Sequence, residues 1–173
     1  ACHELKIHSV RVPENFPVSI ADQLRGYGIT VAVQLDPFWP HREIKTMEEI
    51  QHIHESLKFA EEGMGAGIEA LKRTNITRNG SLRLDGNPLT SEKLRAIINS
   101  KIMELGAIPS HTIVASGKQA VDPHNEGSGI IRANSAIIID IFPRSQSTGY
   151  FGDMTRTVVR GRASDRLKRA YQA

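Results

Sequence analysis

The chain has 173 residues, enough for one ordinary domain or for a small domain with an appendage. Hydrophobic residues form 39% of it and charged residues 24%, a globular balance that excludes a disordered, collagen-like or coiled-coil chain. The net charge of +3 is too small to indicate a nucleic-acid surface, and no apolar run is long enough to predict a membrane span. Cys2 is the only cysteine, which excludes a disulfide framework and a Cys-rich zinc site, and with no recognisable leader we expect a reducing, cytoplasmic compartment.

The first forty residues predict one short helix, Ile20–Tyr27, followed by a strand, Ile29–Val33. The segment Asp36–Pro40 then contains two prolines, which fix φ and exclude regular structure. We place a domain boundary at this connector, giving domains of residues 1–40 and 41–173.

Two amphipathic helices are predicted next. Thr46 and Glu49 form a capping box in front of the first helix, whose apolar residues recur at three- and four-residue steps to about Leu71. Thr90 is the expected N-cap of the second helix, and Gly106 ends it. The apolar stripe of that helix comprises Leu94, Ile97, Ile98, Ile102 and Leu105.

The remaining segments are predicted to be mainly β. Asn79-Gly80 and Asp85-Gly86 are typical of hairpin turns, and Ser164 is expected to begin a last helix. Strands are predicted at His111–Ala115, Ser135–Phe142 and Tyr150–Val159. Helices followed by antiparallel strands indicate an α+β fold with helices packed on an antiparallel sheet.

A glycine-rich run, Gly63–Gly67, superficially resembles a nucleotide-binding loop. It lies inside the first long helix and follows no strand, so we interpret it as a site of close helix packing. His52 and His54 lie two residues apart on the same helix, point in different directions and cannot chelate an ion together.

Two aspartates carry the clearest chemical signal. Asp140 lies in the apolar run Ile137–Phe142, which we expect to be a strand buried on both faces, where an ionised carboxylate needs a partner or a metal. A hairpin with its midpoint between Gln146 and Ser147 would place Asp140 directly opposite Asp153, with Cβ atoms about 5 Å apart. Such a pair requires a shared proton or a cation, and it suits Mn, Co, Zn or Mg.

The alternative is structural. Asp153 would pair with Arg144 or Arg156, and Asp140 would accept a backbone hydrogen bond at a bulge. His124, in the loop before the sheet, is by itself typical of an ordinary surface histidine.

Five spaced motifs resemble, in order, the pita-bread metallopeptidases (the creatinase/aminopeptidase fold). They are Ile113–Gly117, Asp122–His124, Ile138–Asp140, Gly149–Thr157 and Gly161. This family includes prolidases, Xaa-Pro aminopeptidases, methionine aminopeptidases and creatinase. The region before Phe38 is similar to the end of an amino-terminal domain that methionine aminopeptidases lack, so residues 1–40 resemble a remnant of that domain.

The resemblance implies that Asp140 is a bidentate ligand of one metal ion and that Asp153 bridges two. It implies that His124 faces the substrate as a catalytic residue, and that two divalent ions, Mn foremost and otherwise Co or Zn, activate water to hydrolyse Xaa-Pro bonds. Two departures matter. The family usually spaces its aspartates eleven apart, whereas these are thirteen apart, and residues 154–173 contain none of the family's downstream His and Glu ligands.

We therefore expect the first half of a pita-bread catalytic domain that is inactive alone. The substrate of the complete enzyme would be a peptide with proline at its second position. Apolar surface on the Ile137–Phe142 strand would be covered in a homodimer or by a complementary carboxyl-terminal half. The alternatives are a non-catalytic pita-bread module that binds peptides or proteins, and a creatinase-like amidinohydrolase.

Overall fold

A computed structural model describes residues 6–172, and Cys2 lies outside the described residues. The chain divides into two compact units, Ala1–Thr46 and Met47–Ala173. The structural division therefore follows Thr46, whereas the proline-rich connector predicts a boundary after Pro40.

The first unit is a small βαβ element. Its strands Ser9–Pro13 (β1) and Thr30–Gln34 (β2) pair in parallel and are joined by the helix Val18–Gly26 (α1). The predicted helix and strand are present, with bounds shifted by one or two residues. The unit buries few apolar side chains among its described residues, namely Val12, Ala21 and Ile29.

The second unit contains the long helices Met47–Lys72 (α2) and Ser91–Glu104 (α3), which pack against each other. A Cβ on Gly63 would lie 2.8 Å from Ile102 Cγ1, and one on Gly67 would lie 2.9 Å from Ile98 Cδ1. These distances are too short for a larger residue without movement of its neighbours. The glycine-rich run is thus a helix-packing site, as predicted.

The start of α3 also matches its prediction. Thr90 Oγ1 accepts the Lys93 N–H at 3.2 Å, which makes Thr90 the N-cap. Gly106, with φ of +87°, follows the helix. Leu105 does not belong to the buried stripe, because it lies beyond the helix end and remains 37% exposed.

A small antiparallel sheet connects the two long helices. Its strands are Asn75–Ile76 (β3), Leu82–Leu84 (β4) and Asn87–Pro88 (β5). Both residues of the Asp85-Gly86 turn have positive φ, 49° and 78°, as a two-residue hairpin requires, and Gly80 lies in the β3–β4 connection with φ of +77°. Both predicted turns are confirmed.

The main sheet lies against the long helices. It consists of three antiparallel strands, whose spatial order is Met154–Val159 (β10), Ala136–Ile141 (β8) and Ile113–Ser116 (β7). A further antiparallel pair, Ala107–Ile108 (β6) with Arg144–Ser145 (β9), was not predicted. The last helix, Asp165–Gln172 (α4), begins after Ser164, whose Oγ accepts the Leu167 N–H at 3.2 Å.

The central strand β8 is fully buried on one face only. Ile137, Ile139 and Ile141 are buried at 0% exposure in the main core, whereas Ile138 and Asp140 are half-buried. The prediction of a strand buried on both faces is therefore wrong. So is the predicted apolar patch, since no large apolar residue of 137–142 is exposed. No helix in the described part of the chain combines the length and apolarity needed to cross a bilayer.

Candidate functional site

The hairpin between β8 and β10 determines how the two aspartates face each other. Ser145 N–H donates to Tyr150 O at 2.9 Å, which closes a four-residue loop over residues 146–149. Gly149 takes φ of +77° in the last loop position, and its N–H donates to Ser145 O at 3.0 Å. The hairpin midpoint therefore lies between Ser147 and Thr148.

This loop corrects the predicted register. Asp140 is directly opposite Thr155, not Asp153. Asp153 immediately precedes β10 and stands diagonally across from Asp140, because it lies two residues before Thr155. Diagonal neighbours in an antiparallel pair are roughly 7–8 Å apart, and residues two apart along a strand share a face. Both carboxylates thus belong to the face of the hairpin opposite the core.

Asp140 is oriented by the strand beside it. Thr155 Oγ1 donates a hydrogen bond to Asp140 Oδ1 at 2.6 Å. On its other side, Asp140 is paired with Ile113 of β7. A carboxylate held in this way on a central strand is positioned before any ligand binds, a property common to metal ligands.

Asp153 is exposed, and its carboxylate makes no hydrogen bond or ion pair within residues 6–172. The structural alternative for this site is therefore not found in the described chain. The Arg156 side chain donates to the Thr155 carbonyl at 2.7 Å and not to Asp153. The Asp140 carboxylate accepts its hydrogen bond from the Thr155 side chain and not from backbone at a bulge.

His124 lies in an exposed loop that borders the same sheet. Val114 N–H donates to Glu126 O at 3.0 Å, so the loop runs beside β7 at the residue that pairs with Ile139. His124 N–H donates to Asp122 Oδ1 at 3.0 Å, which stabilises the turn. Among the described residues, no hydrogen bond or ion pair joins the His124 side chain to either aspartate.

The far end of this loop is attached to the start of α3. Gly129 N–H donates to Glu92 Oε1 at 3.0 Å. The pKa of Glu92 is lowered, first by the hydrogen bond from the Thr90 side chain and then by the Gly129 N–H. The loop that carries His124 is thus attached to both the sheet and a helix.

The donor chemistry fits part of a divalent metal site. Aspartate oxygens are suitable ligands for Mn, Mg and Zn. Two carboxylates do not complete a coordination shell, however, and across residues 6–172 no three His, Cys, Asp or Glu side chains come together as a metal-binding group. The described chain therefore supplies an incomplete set of ligands.

Comparison with known families agrees with this chemistry. The sequence model of metallopeptidase family M24 matches residues 51–173, most of the chain. The chain belongs to metallopeptidase family M24. Membership of this family implies divalent metal ions, and it identifies the fold of the second unit as part of a pita-bread fold, as the sequence motifs indicate. A search of curated proteins finds no significant match.

Solved structures show the same fold over almost the whole chain. Prolidase from Pyrococcus furiosus is 21% identical with a TM-score of 0.76, covering 98% of this chain and 48% of that one. X-Pro aminopeptidase from Thermotoga maritima MSB8 is 21% identical with a TM-score of 0.78, covering 99% and 46%. The M24 chain described here therefore spans less than half the length of these structures.

Sequence reasoning missed residues that support the two aspartates. Thr155 lies within the Gly149–Thr157 motif, two residues after Asp153. That position is the signal in the sequence that could have identified Thr155 as a supporting residue. Ser56 and Gly152 contact each other across 96 residues of sequence. Neither carries a pattern that identifies this contact, because a buried serine on a helix and a glycine near a turn are both common.

Proposed function

We propose that this chain contributes Asp140 and Asp153 to the dinuclear metal centre of a peptidase that hydrolyses Xaa-Pro bonds at peptide amino termini. One observation carries the proposal: in an M24 chain, two carboxylates share one face of a hairpin, and one is already oriented by a threonine hydroxyl at 2.6 Å. Manganese is the first metal to test, with cobalt and zinc next.

The residues of the chain have separate roles in this proposal. Asp140 and Asp153 hold metal, Thr155 keeps the Asp140 carboxylate in place, and His124 faces the substrate from the loop beside β7. When bound, two divalent ions lower the pKa of a water molecule and polarise the scissile carbonyl. Specificity for proline is supported by the similarity to a prolidase and to an X-Pro aminopeptidase.

We further propose that this chain alone is inactive. Its matched structures are about twice as long, and residues 154–173 offer no His or Glu to complete the coordination shell. The remaining ligands would come from a complementary carboxyl-terminal half, and residues 1–40 would be a remnant of an amino-terminal domain. A homodimer is the other assembly to test.

Native mass spectrometry with Mn²⁺ tests the metal assignment. The chain is measured alone and as Asp140→Asn and Asp153→Asn, with Asp165→Asn as a control that removes one carboxylate outside the site. We expect Mn²⁺ adducts that decrease in both site variants and persist in the control. Equal adducts in all four proteins would refute the assignment and favour a non-catalytic binding module.

Hydrolysis of an Xaa-Pro dipeptide tests whether this chain alone contains a complete active site. The purified chain should release no proline with or without Mn²⁺. Metal-dependent turnover that Asp153→Asn abolishes would show that the site is complete within this chain. Metal-independent turnover of creatine would instead support the amidinohydrolase alternative.

A further inference from the structure

The segment before Asp153 is held by the middle of helix α2, and this contact has a consequence for the proposed site. We propose that Ser56 and Gly152 are positioning residues, which place the Asp153 backbone at the distance from Asp140 that a shared metal centre needs. The inference rests on the proposed function, because that function makes Asp153 a ligand.

The first contact is a hydrogen bond from a buried serine. Ser56 is fully buried on α2, and its Oγ lies 3.0 Å from both His52 O and Tyr150 O. Tyr150 O also accepts the Ser145 N–H at 2.9 Å. One carbonyl is thereby bound both by the hairpin loop and by the helix, which joins the two elements three residues before Asp153.

The second contact is a close approach of two backbones. A Cβ on Gly152 would lie 2.3 Å from Ser56 O and 2.8 Å from Leu57 N, far inside van der Waals contact. On its other side, Gly152 N–H donates to Pro143 O at 2.9 Å. Gly152 is therefore held between strand and helix, and only a residue without a side chain fits there.

The tyrosine side chain extends the contact along the same stripe of α2. The Tyr150 ring lies 5.5 Å from the His52 ring, and its hydroxyl donates to Glu49 Oε1 at 2.9 Å. Glu49, His52 and Ser56 are spaced by three and four residues, so they lie on one face of the helix. Tyr150 and Gly152 thus both pack against this face of α2.

This arrangement matters because the two aspartates are fixed differently. The Asp140 carboxylate has a hydrogen bond from Thr155, whereas the Asp153 carboxylate has none within the described residues. The position of Asp153 must therefore come from its backbone. The backbone immediately before it is fixed by Ser56 and Gly152, so these two residues set the separation between the carboxylates.

The experiment uses ¹⁵N NMR of the chain titrated with Mn²⁺, whose unpaired electrons broaden signals close to the bound ion. Variants are Ser56→Ala and Gly152→Ala. The matched controls are Gly65→Ala, where an added Cβ meets nothing within 4 Å, and Ser91→Ala, which removes a buried hydroxyl without a hydrogen-bond partner in the described chain.

We expect both test variants to raise the Mn²⁺ concentration that half-broadens the Asp140 and Thr155 amide signals. A rise of about tenfold is expected, because residues that support metal ligands typically change metal affinity by about 10–100-fold. The controls should stay within about twofold of the wild type. All titrations are made where the spectra show a folded protein, so a loss of stability alone would not produce the change.

A folded Gly152→Ala chain with wild-type Mn²⁺ broadening would overturn the inference. So would a folded Ser56→Ala chain with wild-type Mn²⁺ broadening and unshifted Asp153 signals. If Gly152→Ala does not fold, Ser56→Ala decides. Failure of the proposed function is recognised separately, because wild-type broadening would then not depend on Asp140 and Asp153. In that case the metal-free shifts of Asp153 and Met154 in Ser56→Ala decide, because Gly152→Ala moves the signal of its sequence neighbour whatever its role. Movement in Ser56→Ala that is absent from the controls supports positioning, and no movement refutes it.

Discussion

Two glycines in the loop that carries His124 allow a matched test of how closely that loop approaches the sheet. Gly127 and Gly129 have nearly equal positive φ, 80° and 74°. A Cβ on Gly127 would lie 1.9 Å from Val114 O, whereas one on Gly129 would meet nothing within 4 Å. Alanine at either position must adopt the left-handed conformation, which destabilises the fold by about 1–2 kcal/mol. Only in Gly127→Ala does the added Cβ also collide with backbone.

The additional destabilisation expected for Gly127→Ala follows from the geometry. Restoring ordinary van der Waals separation requires the loop and β7 to move apart by about 1.5 Å. That movement breaks the Val114 N–H to Glu126 O hydrogen bond of 3.0 Å and leaves a buried N–H without its partner. An unsatisfied buried donor destabilises by about 1–3 kcal/mol. Gly127→Ala should therefore lower the free energy of unfolding by about 2–5 kcal/mol, against about 1–2 kcal/mol for Gly129→Ala, so the variants differ by the about 1–3 kcal/mol of the lost hydrogen bond.

Urea unfolding followed by far-ultraviolet circular dichroism measures both values, and amide hydrogen exchange reports on Val114. We expect a lower midpoint and faster Val114 exchange in Gly127→Ala, and near-wild-type Val114 protection in Gly129→Ala. Equal destabilisation of the two variants, within about 0.5 kcal/mol, would refute the argument, since that margin is the uncertainty typical of comparing independent sites.

Three further predictions test the core, the start of α3 and the proposed metal site. Ile98→Ala should destabilise by about 2–5 kcal/mol in urea, because Ile98 is fully buried, while Met103→Ala, at a residue 55% exposed, should change stability by under about 0.5 kcal/mol. The pKa of Glu92 is lowered in the folded state, first by the hydrogen bond from the Thr90 hydroxyl. Ionised Glu92 therefore stabilises the fold above the unfolded pKa of 4.5, and this stabilisation is lost as pH falls through the lower folded pKa. The gap in urea midpoint between wild type and Glu92→Gln should therefore close below pH 4.5, and a gap that widens there would contradict the sign. Thr155→Val should weaken Mn²⁺ binding about tenfold in the NMR titration while Thr155→Ser retains it, and equal binding by both would exclude the hydroxyl from the site.

The long helices could be predicted to within about a residue because their signals are local. The apolar repeat of α2 and the N-cap Thr90 of α3 each lie within a few residues of the feature that they predict. The two-residue strands β6 and β9 could not be predicted, because so short a segment shows no alternation. Their pairing joins Ala107 to Ser145, a contact that depends on the rest of the fold.

The site was only partly predictable for a related reason. The motifs identify the aspartates, but their relative position depends on hairpin register, and register depends on the length of the loop. Gly149 lies in the last position of a four-residue loop, which moves the midpoint by one residue and the pairing by two. Because the shift is even, Asp140 and Asp153 keep the same face despite the incorrect register, and one shared metal site stays a prediction.

The same alternation connects the site to the core. Ile139 and Ile141 are buried among the helices, so the residue between them, Asp140, must point to the opposite face of β8. Core packing therefore determines the face on which Asp140 lies, and Thr155 determines the orientation of its carboxylate. Asp153 has no such neighbours on a strand, and its backbone depends on the contact between Gly152 and α2. A substitution in the middle of α2 should therefore change the proposed metal site without touching either carboxylate.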